Sequence, residues 1–217
     1  MIKENVRELI RGLPEGVELV AAAKTRSVQE ILEAVEGGVK IVGENYIQEA
    51  EKAFRIIGNR VKWHFIGHLQ KNKIGKAIRI FDMIETIDSL ETAKEFDKAC
   101  QQEGKAMPVL VEINSGRERK KFGMAPEDVE RFLGDAAGLS RIRVMGLMTM
   151  GPMTDNHEDA RKYFSETKKL FEKIKLSHIP GIEMRYLSMG MSDTYKIAIQ
   201  EGASIIRVGI GIFGART

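Results

Sequence analysis

The stretch Glu18-Leu19-Val20-Ala21-Ala22-Ala23-Lys24-Thr25-Arg26-Ser27-Val28-Gln29-Glu30 contains one complete strand-to-helix step. Residues 18–23 are a short apolar run of strand length. Ser27 is suited to cap a helix, and Glu30, three residues later, completes a capping box. The helix ends at Gly37-Gly38, where glycine tolerates the left-handed turn that closes helices.

The same step recurs along the chain. Strands are predicted at 39–43, 63–67, 83–87, 108–113, 144–148, 184–187 and 205–208. Helices are predicted from about 46 to 57, 71 to 80, 91 to 103, 158 to 176 and 193 to 201. Asp88 or Ser89 opens the helix after the fourth strand, and Pro126 starts the one after the fifth. Eight strand-then-helix units without a second domain predict a single α/β domain over residues 1–217, closed as a (β/α)8 TIM-like barrel. A doubly wound open sheet is the alternative, and the repeat count favours closure.

Composition narrows the function classes. The chain has 217 residues, 43% of them hydrophobic, with 34 Lys and Arg against 31 Asp and Glu, a net charge of +3. That balance gives no footprint for nucleic acid. The densest basic run, Arg117, Arg119, Lys120 and Lys121, follows Asn114-Ser115-Gly116 and reads as an exposed loop. No apolar stretch reaches the roughly 20 residues that span a bilayer, so no membrane partner is expected. The segment 1–13 is too charged for a signal peptide, which predicts a cytoplasmic location. A lone Cys100 on a helix reads as packing and excludes an internal disulfide.

In such barrels chemistry gathers at the C-terminal strand ends. Lys24 stands there after the first strand, Asn45 after the second, His68 after the third, Ser188, Met189 and Gly190 after the seventh, and Gly209, Ile210 and Gly211 after the eighth. A lysine amine at a barrel mouth is a nucleophile for carbonyls. Glycines after the last two strands let backbone amides approach a phosphate. Arg207 points inward from the eighth strand and is expected to pair with Glu44 or to reach a ligand ring nitrogen. His64 and His68 lack a third zinc ligand, so His64 reads as part of a strand face and His68 as a hydrogen-bonding residue at the mouth. Met145, Met148, Met150 and Met153 read as pliable packing, some of it near a ligand.

Five motifs then occur in order: Ala23-Lys24-Thr25, Gly43-Glu44-Asn45-Tyr46, His64-Phe65-Ile66-Gly67-His68, Leu187-Ser188-Met189-Gly190-Met191-Ser192-Asp193, and Arg207-Val208-Gly209 with Ile212-Phe213-Gly214. Together the chain resembles the pyridoxal phosphate homeostasis protein family, which is similar to the N-terminal barrel of alanine racemase standing alone. The resemblance implies that pyridoxal 5′-phosphate (PLP) is held as a Schiff base on Lys24. It implies that Arg207 faces the pyridine nitrogen, that Ser188 and the amides of Gly209 and Ile210 hold the phosphate, and that Asn45 and Met189 line the cofactor. His68 is counted with this set. Ile210 stands where many relatives carry Thr, which leaves only its amide to offer.

The resemblance also implies a monomer that maintains PLP levels inside the cell and passes the cofactor to PLP-dependent apoenzymes. Arginine, with a pKa above about 12, cannot lend the ring nitrogen a proton, so robust carbanion chemistry is disfavoured. Alanine racemase takes its opposing tyrosine base from a second domain, and this chain ends at Thr217. A weak racemase or transaminase remains the enzymatic alternative. A Schiff-base aldolase is the other, although its lysine more often lies on a later strand.

Overall fold

The computed structural model describes residues 1–151 and 156–215. Eight parallel strands close on themselves in chain order: β1 (Glu18–Ala22), β2 (Ile41–Glu44), β3 (Lys62–Phe65), β4 (Met83–Ile87), β5 (Met107–Ile113), β6 (Ile142–Thr149), β7 (Ile182–Met189) and β8 (Ile205–Val208). Closure is made by β8 on β1, with Val20 opposite Arg207 and Ala21 opposite Val208. The expected TIM-like barrel is the observed fold.

A first helix, α1 (Ile2–Arg11), precedes the barrel. The helices between strands are α2 (Val28–Gly37), α3 (Ile47–Ile57), α4 (Ile74–Ile80), α5 (Leu90–Gln102), α6 (Val129–Ala136), α7 (Ala160–Leu176) and α8 (Tyr195–Gln200); α9 (Ile210–Phe213) follows β8. The capping box is present on α2, where Ser27 accepts from the Glu30 amide and the Glu30 carboxylate accepts from the Ser27 amide. Of the two candidates for opening α5, Ser89 is the one that accepts from the Thr92 amide. The predicted helix starts near 71, 126 and 158 are single 3₁₀ turns that lead into the α-helices. Strands β6 and β7 run longer than predicted, and their ladder shifts register between Val144 and Gly146, where Gly146 sits at φ 148°.

Two apolar layers stabilise this arrangement. The outer one packs the strands against the helices and includes Trp63, Phe65, Phe96 and Phe164. The inner one plugs the barrel with Val20, Ile41, Met83, Leu110, Met145, Met148 and Ile205. Side chains alternate along a strand, so residues two positions further on face the same interior, one step nearer the mouth. Those positions are Glu85 after Met83, Glu112 after Leu110, Ser188 after Tyr186 and Arg207 after Ile205. The barrel is therefore apolar at its base and polar immediately beneath its mouth.

Cys100 is fully buried on α5, and burial beside Asp97 pushes its thiol up to about 11, in keeping with a packing role. Leu110→Ala would leave a cavity inside the barrel and is expected to lower the unfolding free energy by about 2–5 kcal/mol. Ser27→Ala, which removes only a cap, is expected to cost about 1 kcal/mol. Urea denaturation of the two variants beside the parent chain measures both.

Candidate functional site

Below the mouth, side chains from opposite walls of the barrel meet. Glu85 on β4 is completely buried. His64 Nδ1 on β3 lies 2.7 Å from Glu85 Oε1, and the Ser188 hydroxyl on β7 donates to Glu85 Oε2 at 2.6 Å. Arg207 on β8 donates through Nη1 to Ser188 Oγ at 2.5 Å and through Nη2 to the Thr149 carbonyl at 2.9 Å. Its Nη1 is also 3.8 Å from Glu85 Oε2. Burial opposes ionisation of Glu85. The hydrogen bond and charge of His64, the charge of Arg207 and the Ser188 hydroxyl outweigh it and hold the carboxyl below the usual range.

These bonds fix the proton positions. An ionised carboxylate only accepts, so Ser188 must give its one proton to Glu85 and use a lone pair for Arg207. Its hydroxyl then has no proton left for a phosphate. Ser188 is fully buried inside the barrel, with its proton directed at Glu85. The expected pairing of Arg207 with Glu44 is replaced by the Ser188 bridge and Glu85. The strand alternation that sends Arg207 into the barrel leaves Glu44, beside the inward Gly43, on the other face of the sheet.

The hydroxyl that meets the last glycine loop is Ser192. Its Oγ accepts from the amides of Gly209 at 3.3 Å and Gly211 at 3.2 Å. Gly190 makes this turn possible. It sits at φ 91°, and a Cβ there would lie 2.5 Å from the Ala198 methyl. Ile210 is exposed at the same loop and Met189 is fully buried in the outer apolar layer.

Lys24 follows β1 at the mouth, partly exposed, with Nζ 5.3 Å from the Tyr46 ring centroid. The β1–β8 pairing brings this end of β1 beside the glycine loop, where a Cβ on Gly209 would lie 3.2 Å from the Ala22 carbonyl oxygen. Asn45 is partly buried, and its side-chain amide donates to the Ile66 carbonyl at 3.5 Å. The close approach of Gly67, where a Cβ would fall 2.3 Å from the Asn45 carbonyl oxygen, admits no side chain. His68 lies further out, stacked on Phe122 with ring centroids 3.7 Å apart and Nδ1 3.7 Å from Asp88. His64 and His68 thus face different surroundings.

The basic segment after β5 is braced rather than free. Arg117 pairs with Glu127 and Glu166, and Lys121 with Glu118, while the Asn114 amide donates to the Glu118 carbonyl. Of the methionines, Met145 and Met148 pack inside the barrel, Met150 is exposed and Met153 lies outside the described residues. No helix among the described residues is long and apolar enough to cross a membrane.

The model of the alanine racemase N-terminal domain matches residues 1–217. A pyridoxal phosphate homeostasis protein of Aquifex aeolicus is 34% identical over 200 residues, covering 92% of this chain and 87% of that one. The homeostasis protein of Schizosaccharomyces pombe is 33% identical over all of this chain and 90% of its own. The chain belongs to the pyridoxal phosphate homeostasis protein family. The structure of PipY from Synechococcus elongatus with PLP bound superposes with a TM-score of 0.91 at 29% identity, covering 99% of this chain and 100% of that one. Alanine racemase from Clostridium difficile shares the fold, with a TM-score of 0.82 at 18% identity over 56% of its length.

Two further carboxyls at this end of the barrel are strained by burial. Glu44 is 1% exposed with Oε2 unpartnered, and burial with the nearby Glu49 charge pushes it up to about 8. Glu112 is pushed up to about 7 by burial and by Asp88, against the pull of Arg207. For both, the folded state binds the proton more tightly than the unfolded chain. Their contribution to stability is then greatest below the ordinary value of 4.5 and falls as pH rises toward about 8. Glu44→Gln is expected to flatten that decline and to be more stable than the parent chain above pH 8, as measured by denaturation across the pH range.

Proposed function

We propose that this chain binds PLP as a Schiff base on Lys24 and works in PLP homeostasis, holding the cofactor rather than turning over a substrate. The observation that carries the reading is the adjacency of Lys24 to the Ser192 and Gly209–Gly211 cradle across the β1–β8 seam. In PLP the aldehyde and the phosphate arm occupy neighbouring ring carbons, with the ring nitrogen across from the aldehyde. An amine and an anion cradle on neighbouring strand ends match the first two groups. Arg207, beneath the mouth on β8, matches the third.

PLP when bound supplies an electrophilic carbonyl and a conjugated ring that can accept electrons. The chain's residues would do the rest. Lys24 provides the amine. The Ser192 hydroxyl, held by the Gly209 and Gly211 amides, and the amide of Ile210 would provide donors for phosphate, and the exposed Ile210 side chain takes no part. Asn45 borders the ring, and Met189 supports it from within the outer apolar layer. His68, held against Phe122, stands at the rim. Arg207 would offer Nε to the ring nitrogen, because Nη1 and Nη2 are anchored on Ser188 and Thr149 and hold the guanidinium in one orientation. A guanidinium donates a hydrogen bond without yielding its proton, which keeps the ring a weak electron sink. This favours a carrier over a catalyst; that it is a monomer of one domain over 1–217, is cytoplasmic and releases PLP to apoenzymes is proposed from the family resemblance alone.

The purified protein incubated with PLP is expected to be yellow. Borohydride should abolish the visible band and leave the label on a peptide containing Lys24. Lys24→Ala is expected to lose the band, and a label on another lysine would overturn the assignment. Ser192→Ala is expected to weaken PLP binding about tenfold while leaving pyridoxal, which lacks the phosphate, unaffected. Equal loss for both ligands would remove Ser192 from the phosphate site. Brisk alanine racemisation by the parent protein would overturn the carrier reading.

A further inference from the structure

The buried Glu85 has no place in the cofactor contacts above, yet among the described residues it is the most enclosed carboxylate at this end of the barrel. We infer that Glu85 is a positioning residue that acts through Ser188 to fix the Arg207 guanidinium in the orientation that leaves Nε available to the cofactor's ring nitrogen. The inference rests on the PLP reading and adds to it a residue that touches no ligand.

Three observations carry it. Strands β4 and β8 stand on opposite sides of an eight-stranded ring, so the Glu85–Ser188–Arg207 connection spans the barrel. A long side chain that crosses an interior is held in one rotamer only if its far end is anchored, and Nη1 and Nη2 have the two anchors. Ser188 can accept from Arg207 in this geometry because Glu85 takes its proton. If Glu85 were replaced by a group that donates, the hydroxyl would turn and the anchor on Nη1 would be lost. Stability alone does not account for the network, since a buried ion pair is often matched or exceeded by apolar residues of the same volume. His64 completes the set by donating to the second carboxylate oxygen, which holds Glu85 from the β3 side.

The test compares two cofactors. PLP and its 1-deaza analogue differ only in the ring nitrogen, replaced by C–H in the analogue. The parent protein is expected to bind PLP about tenfold more tightly than the analogue, the effect of one charge-assisted hydrogen bond. In Glu85→Gln and in Ser188→Ala that preference is expected to fall to within about threefold, with affinity for the analogue retained. The double variant is expected to lose no more than Glu85→Gln alone, because both changes cut one connection.

Equal weakening of both ligands would mean that Glu85 serves only the fold, and an unchanged preference would mean that it does not reach Arg207; either overturns the inference. If Glu85→Gln does not fold, Ser188→Ala decides, since it removes one oxygen and its melting temperature checks integrity. A parent protein that binds neither ligand would refute the underlying PLP reading. One that binds both equally would keep that reading and refute the role of Arg207 and Glu85.

Discussion

A carboxylate sealed inside a β-barrel is the constraint around which the upper half of this molecule is arranged. Taking Glu85 out of water costs several kcal/mol unless its charge is met at close range and its lone pairs are filled. Both conditions are satisfied by residues from separate strands: His64 from β3, Ser188 from β7 and Arg207 from β8. Removing any one of them leaves a buried polar group without its partner. The network thus fixes the relative register of opposite barrel walls, and it does so directly beneath the strand ends that carry Lys24 and the glycine cradle.

The division of the interior follows from the same constraint. Apolar side chains fill the base, where nothing needs to be reached, and contribute the burial that offsets the polar layer. Polar side chains stand two residues further along β4, β5, β7 and β8. A mouth lined only with leucine and valine would be more stable and would offer a ligand no hydrogen bonds. The raised Glu112 carboxyl is the cost of placing a further acid in this zone, and it is eased by the Arg207 charge that Glu85 also uses.

Much of this was legible in the sequence, and the parts that were not share a physical reason. The strand-to-helix rhythm, the Ser27 capping box and the positions of Lys24 and Arg207 follow from local patterns, and local patterns are visible in one dimension. The role of Glu85 is not legible because Met83-Ile84-Glu85-Thr86-Ile87 reads as an ordinary apolar strand with one acid, and the partners that explain the acid lie far away in sequence, 103 residues in the case of Ser188. The signal was present all the same: a charged residue at an inward position of a buried strand must find a counter-charge. The two serines of one motif are not told apart by pattern. Ser188 and Ser192 are four residues apart, and only the alternation within β7 and the turn at Gly190 show that the first faces the interior and the second the glycine loop.

The choice of arginine as the deep cation ties the architecture to the proposed function. A carboxylic acid facing a pyridine nitrogen would protonate it and turn the ring into a strong electron sink. In this barrel the acid is one bond removed: Glu85 faces Ser188, and Ser188 faces a guanidinium that keeps its protons. The acidic charge therefore steadies the cation without reaching the ring. A site built this way favours holding an aldehyde on a lysine over stabilising a carbanion next to it, and the design lies in the order of three side chains rather than in any group missing from the chain.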